Sequence, residues 1–399
     1  MNRDSFITSF RSLKAYCEKE DFAGWDPYDG LNSKLFKALP LVGRSAVARL
    51  VWIQLFKRCP VNLRPLLGVA KGHNAKGIGL FLAGYCRLYR AVGRDESLAA
   101  TLDTPDRLMV QIRRLADLLL EMRSPSASGS AWGYNFPWQC RREFLFPDGE
   151  PTVVATYFCA MALFDAFELT GDVRYRDTAL SAADFVKKDL RQTPCGPGVI
   201  LSYSRMPGND TIYNASLLGS ALLARCYSYD GNADSLNLAR ESMDACCAMQ
   251  ASDGSWTYGV KPVTSWIDSF HTGYNLMAVS QYMRYSGEIG YEDALSRGLR
   301  FYLDNFFMAD GSPKYYHNRQ YPIDIHCPGQ LAVTLSELDE IESNRPLLER
   351  VMTWTVDNMQ SPDGYFYYQK KQGISSKISY MRWSNAFMFA AMSYIVDNQ

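Results

Sequence analysis

One arrangement recurs along this chain and limits what it can fold into: a glycine-containing turn, a cluster of aromatic residues, then a long apolar stretch. It occurs as SGSAWGYNFPW (128–138), GPGVILSYS (196–204), SDGSWTYG (252–259), ADGSPKYY (309–316) and PDGYFYYQ (362–369). Each precedes a run with the apolar spacing of a helix, at 152–169, 213–229, 271–285, 326–339 and 382–396, and an earlier run at 76–92 makes a sixth. The runs begin near Gly77, Thr152, Tyr213, His271, His326 and Arg382, about 55–75 residues apart. That period fits a helical hairpin with a substantial loop and exceeds the ~34 residues of the shorter helical repeats.

Between these runs lie segments with a more amphipathic pattern, at 106–122, 173–190, 234–250, 291–307 and 346–360, with 45–57 as the candidate sixth. The first set is rich in Gly, Ala and apolar residues on every side, as helices walled in all round must be; the second carries the Arg, Lys, Asp and Glu that face water. The pattern predicts an all-α fold, an (α/α)6 toroid of six helical hairpins. Its Gly/aromatic loops should converge on one face, where the inner helices begin. No polar capping repeat is evident at either end, so the array is expected to close rather than remain an open solenoid. Residues 1–70 are read as an N-terminal segment supplying a loop at that face and the sixth outer helix, and 71–399 as the toroid, the two forming one continuous domain.

Composition excludes several function classes. The 42 basic and 42 acidic residues balance, so net charge does not suit the chain to a nucleic acid, and no nucleic-acid motif is present. KGHNAKG (71–77) lacks the spacing of a phosphate loop, and no short metal-ligand spacing occurs, so neither a metal nor a cofactor is expected. Ten scattered cysteines without a C-x-x-C pair read as reduced buried thiols. With no secretory signal and no apolar run near the ~20 residues of a membrane span, the expected location is cytoplasmic. Charge is uneven locally: between 31 and 71 stand Lys34, Lys37, Arg44, Arg49, Lys57, Arg58, Arg64 and Lys71 without one Asp or Glu. The apolar, basic segment 44–58 can lie on an anionic membrane surface, though an outer helix with a solvated rim is the simpler expectation.

The chemistry gathers at the helix starts. His271 and His326 begin consecutive inner helices, with Asp268 and Asp324 just ahead of them. Either Asp can cap its helix through backbone N–H groups. The functional alternative is a pair of acid/base groups in which the carboxylates orient the imidazoles, with Tyr315 or Tyr380 as a further proton donor or acceptor. Arg382 stands at a helix N-terminus, where a cation opposes the helix dipole and calls for an anionic partner. That partner is a substrate carboxylate or a loop acid such as Asp324 or Asp363. Trp132, Tyr134, Tyr203, Trp256, Tyr258 and Trp383, with the amide of Asn214, offer the flat faces and polar groups that a sugar ring needs. In GWDPYDGLNS (24–33), Asp26 and Asp29 are candidates to bind a sugar hydroxyl from a wall or lid, or simply to shape a turn.

With the six repeats and loops such as QASDGSW, WIDSFHTGYN and YMRWSNAF in view, residues 70–399 resemble the six-hairpin (α/α)6 toroid enzymes of carbohydrate chemistry. More narrowly, the chain resembles toroid proteins of bacterial exopolysaccharide clusters of the D-glucuronyl C5-epimerase type. The resemblance implies an oligo- or polysaccharide partner, expected to be anionic given Arg382. The leading expectation is proton abstraction beside a uronate carboxylate, giving C5 epimerisation or β-elimination. The alternatives are glycoside hydrolysis by two aspartates, a sugar 2-epimerase or isomerase using the histidines, and a glycan-binding role without chemistry.

Overall fold

The structure, a computed structural model, describes residues 3–140 and 144–398. Its longer helices are α1 (Arg3–Lys19), α2 (Ala46–Arg58), α3 (Ala75–Arg94), α4 (Pro105–Glu121), α5 (Val153–Thr170), α6 (Val173–Asp184), α7 (Tyr213–Asp230), α8 (Ala233–Ala248), α9 (Ser269–Ser286), α10 (Glu292–Phe306), α11 (His326–Glu337), α12 (Arg345–Met359) and α13 (Phe387–Asp397). The inner ring is α3, α5, α7, α9, α11 and α13, each packed on the next, with α13 closing back onto α3. The outer helices are α1, α4, α6, α8, α10 and α12. This is a closed (α/α)6 toroid; five inner starts fall within two residues of the positions read from the sequence, and α13 is preceded by a π-helical turn, Met381–Ala386, that carries Arg382 at its start.

Burial explains the composition of the inner ring. Helix α5 is long and apolar enough to cross a membrane by length and composition, yet here it is mostly buried because neighbours wall it in on both sides. Three inner helices, α5, α7 and α9, stop at the left-handed glycines Gly171, Gly231 and Gly287, a conformation that a side chain would strain.

The sixth outer helix is not the segment 45–57. That stretch is helical (α2), but α1 occupies the outer position, and a repeated contact shows why. After α8, the Gln250 amide donates to Gly254 O and to Ala294 O at the start of α10. After α12, Gln360 donates likewise to Gly364 O and to Ser9 O of α1. Gly254 and Gly364 both have positive φ, and a Cβ on either would collide with the backbone of the next outer helix, at Arg297 or Ser12. The turn in PDGYF thus grips α1 as the turn in SDGSW grips α10. Reading 45–57 as the outer helix failed because α1 lies ahead of the first Gly/aromatic loop, where no preceding repeat marks it. Helix α2 instead lies over the loop face, with Ile53 and Phe56 turned inward and Trp52 donating to Gly30 O.

The loop face is built from short strands: Trp138–Cys140 pairs with Phe144–Phe146, Gln192–Cys195 with Gly198–Leu201, and Tyr367–Lys370 with Ile323–Asp324 on one side and Ser375–Ser379 on the other. The opposite end is closed by ion pairs. Buried Glu337 accepts from Arg87, Arg284, Gln281 and Tyr394, while Arg225 bridges Asp165 and Glu168. Burial alone would push the Glu337 carboxyl up, but Arg87 and Arg284 more than offset it and hold it below the usual range.

Glu337→Ala should therefore destabilise the fold by on the order of 1–3 kcal/mol at neutral pH, because it removes the buried carboxylate that Arg87 and Arg284 share with Gln281 and Tyr394. A depressed carboxylate stabilises fully above its unfolded pKa of about 4.3 and loses that contribution as pH falls toward the folded value. The gap between wild type and variant in chemical denaturation should narrow steadily below about pH 4.

Candidate functional site

Inside the loop face lies a cavity of about 700 Å³ to which all six inner helices contribute near their N-termini: Lys76, Val154, Asn214, His271 with Tyr274, His326, and Arg382 with Trp383. Of the residues singled out from sequence, His271, His326, Tyr315, Arg382, Trp383, Tyr258, Tyr203, Tyr134 and Asn214 line it. The others lie behind the wall.

The two histidines share this face but sit in different environments. Asp268 caps α9 by accepting from the His271 N–H at 3.0 Å, and its other oxygen meets His271 Nδ1 at 2.7 Å and accepts from Trp266 Nε1. The cap is thus also an orienter: it fixes the imidazole and leaves Nε2 without a protein partner among the described residues. His271 is partly exposed. Asp324 accepts from the His326 N–H at 3.0 Å, from Trp383 Nε1 and from Gln369, and does not touch the His326 ring. Burial raises the Asp324 carboxyl, against those donors.

The His326 ring is packed among Phe270, Phe387 and Trp383, with Nε2 2.8 Å from Tyr274 Oη and Nδ1 buried without a partner. Burial, then Lys76 and Arg382, push its pKa well down, so it is neutral. Sequence reading missed Tyr274 and Lys76. The Lys76 ammonium lies 3.2 Å from Tyr274 Oη, over the rings of Phe158, Tyr274 and Phe387. Burial first, and Arg382 second, drive its pKa well below the usual lysine value. The signal was present: a lysine in the first turn of an apolar inner helix has no local reason to be buried.

Arg382 forms a two-point ion pair with Asp26, Nε to Oδ2 at 2.6 Å and Nη2 to Oδ1 at 2.9 Å. Its loop acid is Asp26, not Asp324 or Asp363, and Nη1 has no protein partner among the described residues. Asp29 is held by Arg64, which also donates to Tyr380 Oη and Asp26 O. Asp26, Asp29 and Tyr380 therefore tie the N-terminal loop to the last inner helix, and Tyr28 is the loop residue on the cavity wall. Trp132 and Trp256 are also in the wall. Each is fully buried, with its indole N–H on the last turn of an outer helix, at Leu119 O and Cys246 O. Their place in the Gly–aromatic repeat makes them loop anchors. Tyr258 stacks on Trp266 at 4.5 Å and faces the cavity, while burial raises the pKa values of Tyr258, Tyr274 and Tyr315 well above the ordinary value. These phenols are protonated at neutral pH.

The charge of the wall is one-sided. Lys57, Arg58, Lys76, Arg319, Lys371 and Arg382 line the cavity, and no Asp or Glu does among the described residues. Only Arg382 of the six makes a salt bridge within that set. Among the described residues no group of three or more His, Cys, Asp or Glu could hold a metal ion.

No family model matches the sequence, and a search of curated proteins finds no match. Solved structures do. A cellobiose 2-epimerase from Bacillus thermoamylovorans matches with a TM-score of 0.60 at 12% identity, over 80% of this chain and 88% of that one. A family 76 glycoside hydrolase (mannosidase) from Bacteroides thetaiotaomicron matches with 0.61 at 12% identity, over 98% and 97%. An unsaturated glucuronyl hydrolase specific for heparin matches with 0.59 at 13% identity, over 98% and 95%. At these identities the likeness concerns the fold.

Trp256→Ala should cost about 3–5 kcal/mol of stability, as expected for a buried indole, and leave ligand affinity of the folded fraction unchanged. Tyr258→Ala should weaken binding in the cavity while costing less stability. Paired melting curves and titrations separate the two.

Proposed function

We propose that the protein is a carbohydrate-active enzyme that abstracts the proton beside the carboxylate of an acidic sugar, giving C5 epimerisation or β-elimination. The observation that carries this reading is the cavity wall itself, with six cations, two histidines, many aromatic faces and no described carboxylate. An acidic sugar supplies the missing negative charge. Its carboxylate fits between the Lys76 ammonium and the free Nη1 of Arg382, and its ring fits against Tyr258 and Trp383.

The proposed sequence follows from the hydrogen bonds. With Nδ1–H donated to Asp268, His271 presents a bare Nε2 as general base, which takes the proton from C5. The electron pair moves onto the carboxylate, where Lys76 and Arg382 stabilise the added charge. Tyr274, neutral and held by His326 and Lys76, then returns a proton to C5 from the other side of the ring, or protonates the oxygen leaving C4. Glycoside hydrolysis by Asp268 and Asp324 has weaker support, because both carboxylates are buried behind the wall and occupied as caps. A neutral-sugar 2-epimerase would share the base but leave the cations unused. The cations Lys57, Arg58 and Lys371 near the mouth favour a substrate with further negative charge, such as a repeating acidic glycan.

Proton NMR in D2O with glucuronate-containing oligosaccharides tests this. The wild type should lose the H5 signal with new signals of an epimer or unsaturated sugar, and His271→Gln should slow that loss at least ~100-fold. New reducing ends with H5 intact would contradict the proposal in favour of hydrolysis. Exchange confined to H2 of a reducing-end sugar would contradict it in favour of 2-epimerisation.

A further inference from the structure

The segment over the cavity mouth exposes an apolar surface that neither the toroid nor the proposed reaction uses. Half of the large hydrophobic side chains exposed among the described residues fall between Leu35 and Leu66. On α2, Val47, Val51 and Leu55 repeat every fourth residue and form one outward stripe, while Leu50, Ile53, Gln54 and Lys57 turn toward the cavity. The short helix Pro40–Gly43 packs against α2 and adds Leu41, 77% exposed, and Val42; the neighbouring helix Lys34–Lys37 adds Leu35. This helix is apolar on two sides and covered on one.

Charge identifies what covers the other. Residues 31–71 contain eight basic residues and no acid. Some of these are committed inward: Arg64 holds Asp29, Arg49 holds Gln139 and Gly43 O, and Lys71 pairs with Glu20. Lys34, Lys37 and Arg44 remain exposed beside the apolar residues and make no salt bridge among the described residues. Apolar side chains ringed by cations without salt bridges match a surface with a hydrocarbon interior under an anionic skin.

We infer that the face formed by Lys34–Lys37, Pro40–Gly43 and α2 docks on an anionic lipid bilayer, with Val47, Val51, Leu55 and Leu41 entering the interface. Docked this way, the cavity mouth lies beside the membrane surface, within reach of a glycan held there. The inference does not depend on the reaction proposed above, since it concerns side chains outside the cavity.

The test is flotation of the full-length protein with vesicles of phosphatidylcholine alone or mixed with phosphatidylglycerol. Wild type should float with the mixed vesicles, much less with the neutral ones, and less as salt rises. The Val47→Ser, Val51→Ser, Leu55→Ser variant should bind about tenfold or more weakly. A control on α4, Val110→Ser, should bind as wild type does. No flotation of the wild type would overturn the inference, and so would equal binding to both vesicle types. Wild-type self-association lost in the triple variant, without vesicle binding, would overturn it in favour of an interface between copies.

Discussion

The architecture depends on how closely each turn approaches the next outer helix. At Gly254 and Gly364 the turn backbone lies against the neighbouring helix with no room for a side chain, and a glutamine one turn earlier ties both together. Gly129, Gly198 and Gly311 face Ser181, Glu241 and Arg350 in the same manner. This contact sets the step from one hairpin to the next. Repeated around the chain, it brings α1 against α12 and closes the ring, and closure gathers the inner N-termini at one end. That His271 and Arg382, far apart in sequence, line one cavity follows from that step.

The two ends of the ring treat buried charge in opposite ways. At the closed end, Arg87, Arg225 and Arg284 each meet carboxylates, and Glu337 is satisfied by four donors. At the open end, Lys76 is buried more deeply than Arg87 or Arg284 and has only a phenol oxygen and aromatic faces. Removing an ammonium from water without a partner costs several kcal/mol, which the protein meets in part by lowering the lysine's proton affinity. A chain that satisfies its arginines so fully at one end has left the other end's cations to be satisfied by something that binds.

Much of the fold was legible because burial leaves a strong pattern. Inner helices are apolar all round, and Gly-containing aromatic turns recur with them, so five inner starts were readable to within two residues and the sixth to within five. Helix α1 was not, since it precedes the first Gly/aromatic loop and its amphipathic face resembles many surface helices. Segment 45–57 was read as an outer helix because the pattern lacked a sixth amphipathic partner and this apolar segment with flanking basic residues offered one. Its exposed Val47, Val51 and Leu55 become visible only once the ring is complete without it.

At the site, position along the chain told which residues stand at the loop face but not which way each side chain turns. Asp268 and Asp324 look alike in sequence, both acids just ahead of a helix-starting histidine. One reaches its imidazole at i+3 and the other, at i+2, reaches Trp383 and Gln369 instead. Trp132 and Trp256 were grouped with Tyr134 and Tyr258, although two residues along a loop separate an anchor in the wall from a ring in the cavity. Lys76 could have been singled out as a lysine in the first turn of an apolar inner helix, but that no acid lies beside it is revealed only by packing.

The most direct test of the account is calorimetric titration of two oligosaccharides that differ only in a terminal glucuronate or glucose, with wild type and Lys76→Met. The account predicts that wild type prefers the glucuronate at least ~10-fold, that the preference largely survives moderate salt because buried charges are weakly screened, and that Lys76→Met removes most of it. Equal affinity for the two sugars, or a preference untouched by Lys76→Met, would contradict a cavity built around an unpaired buried cation.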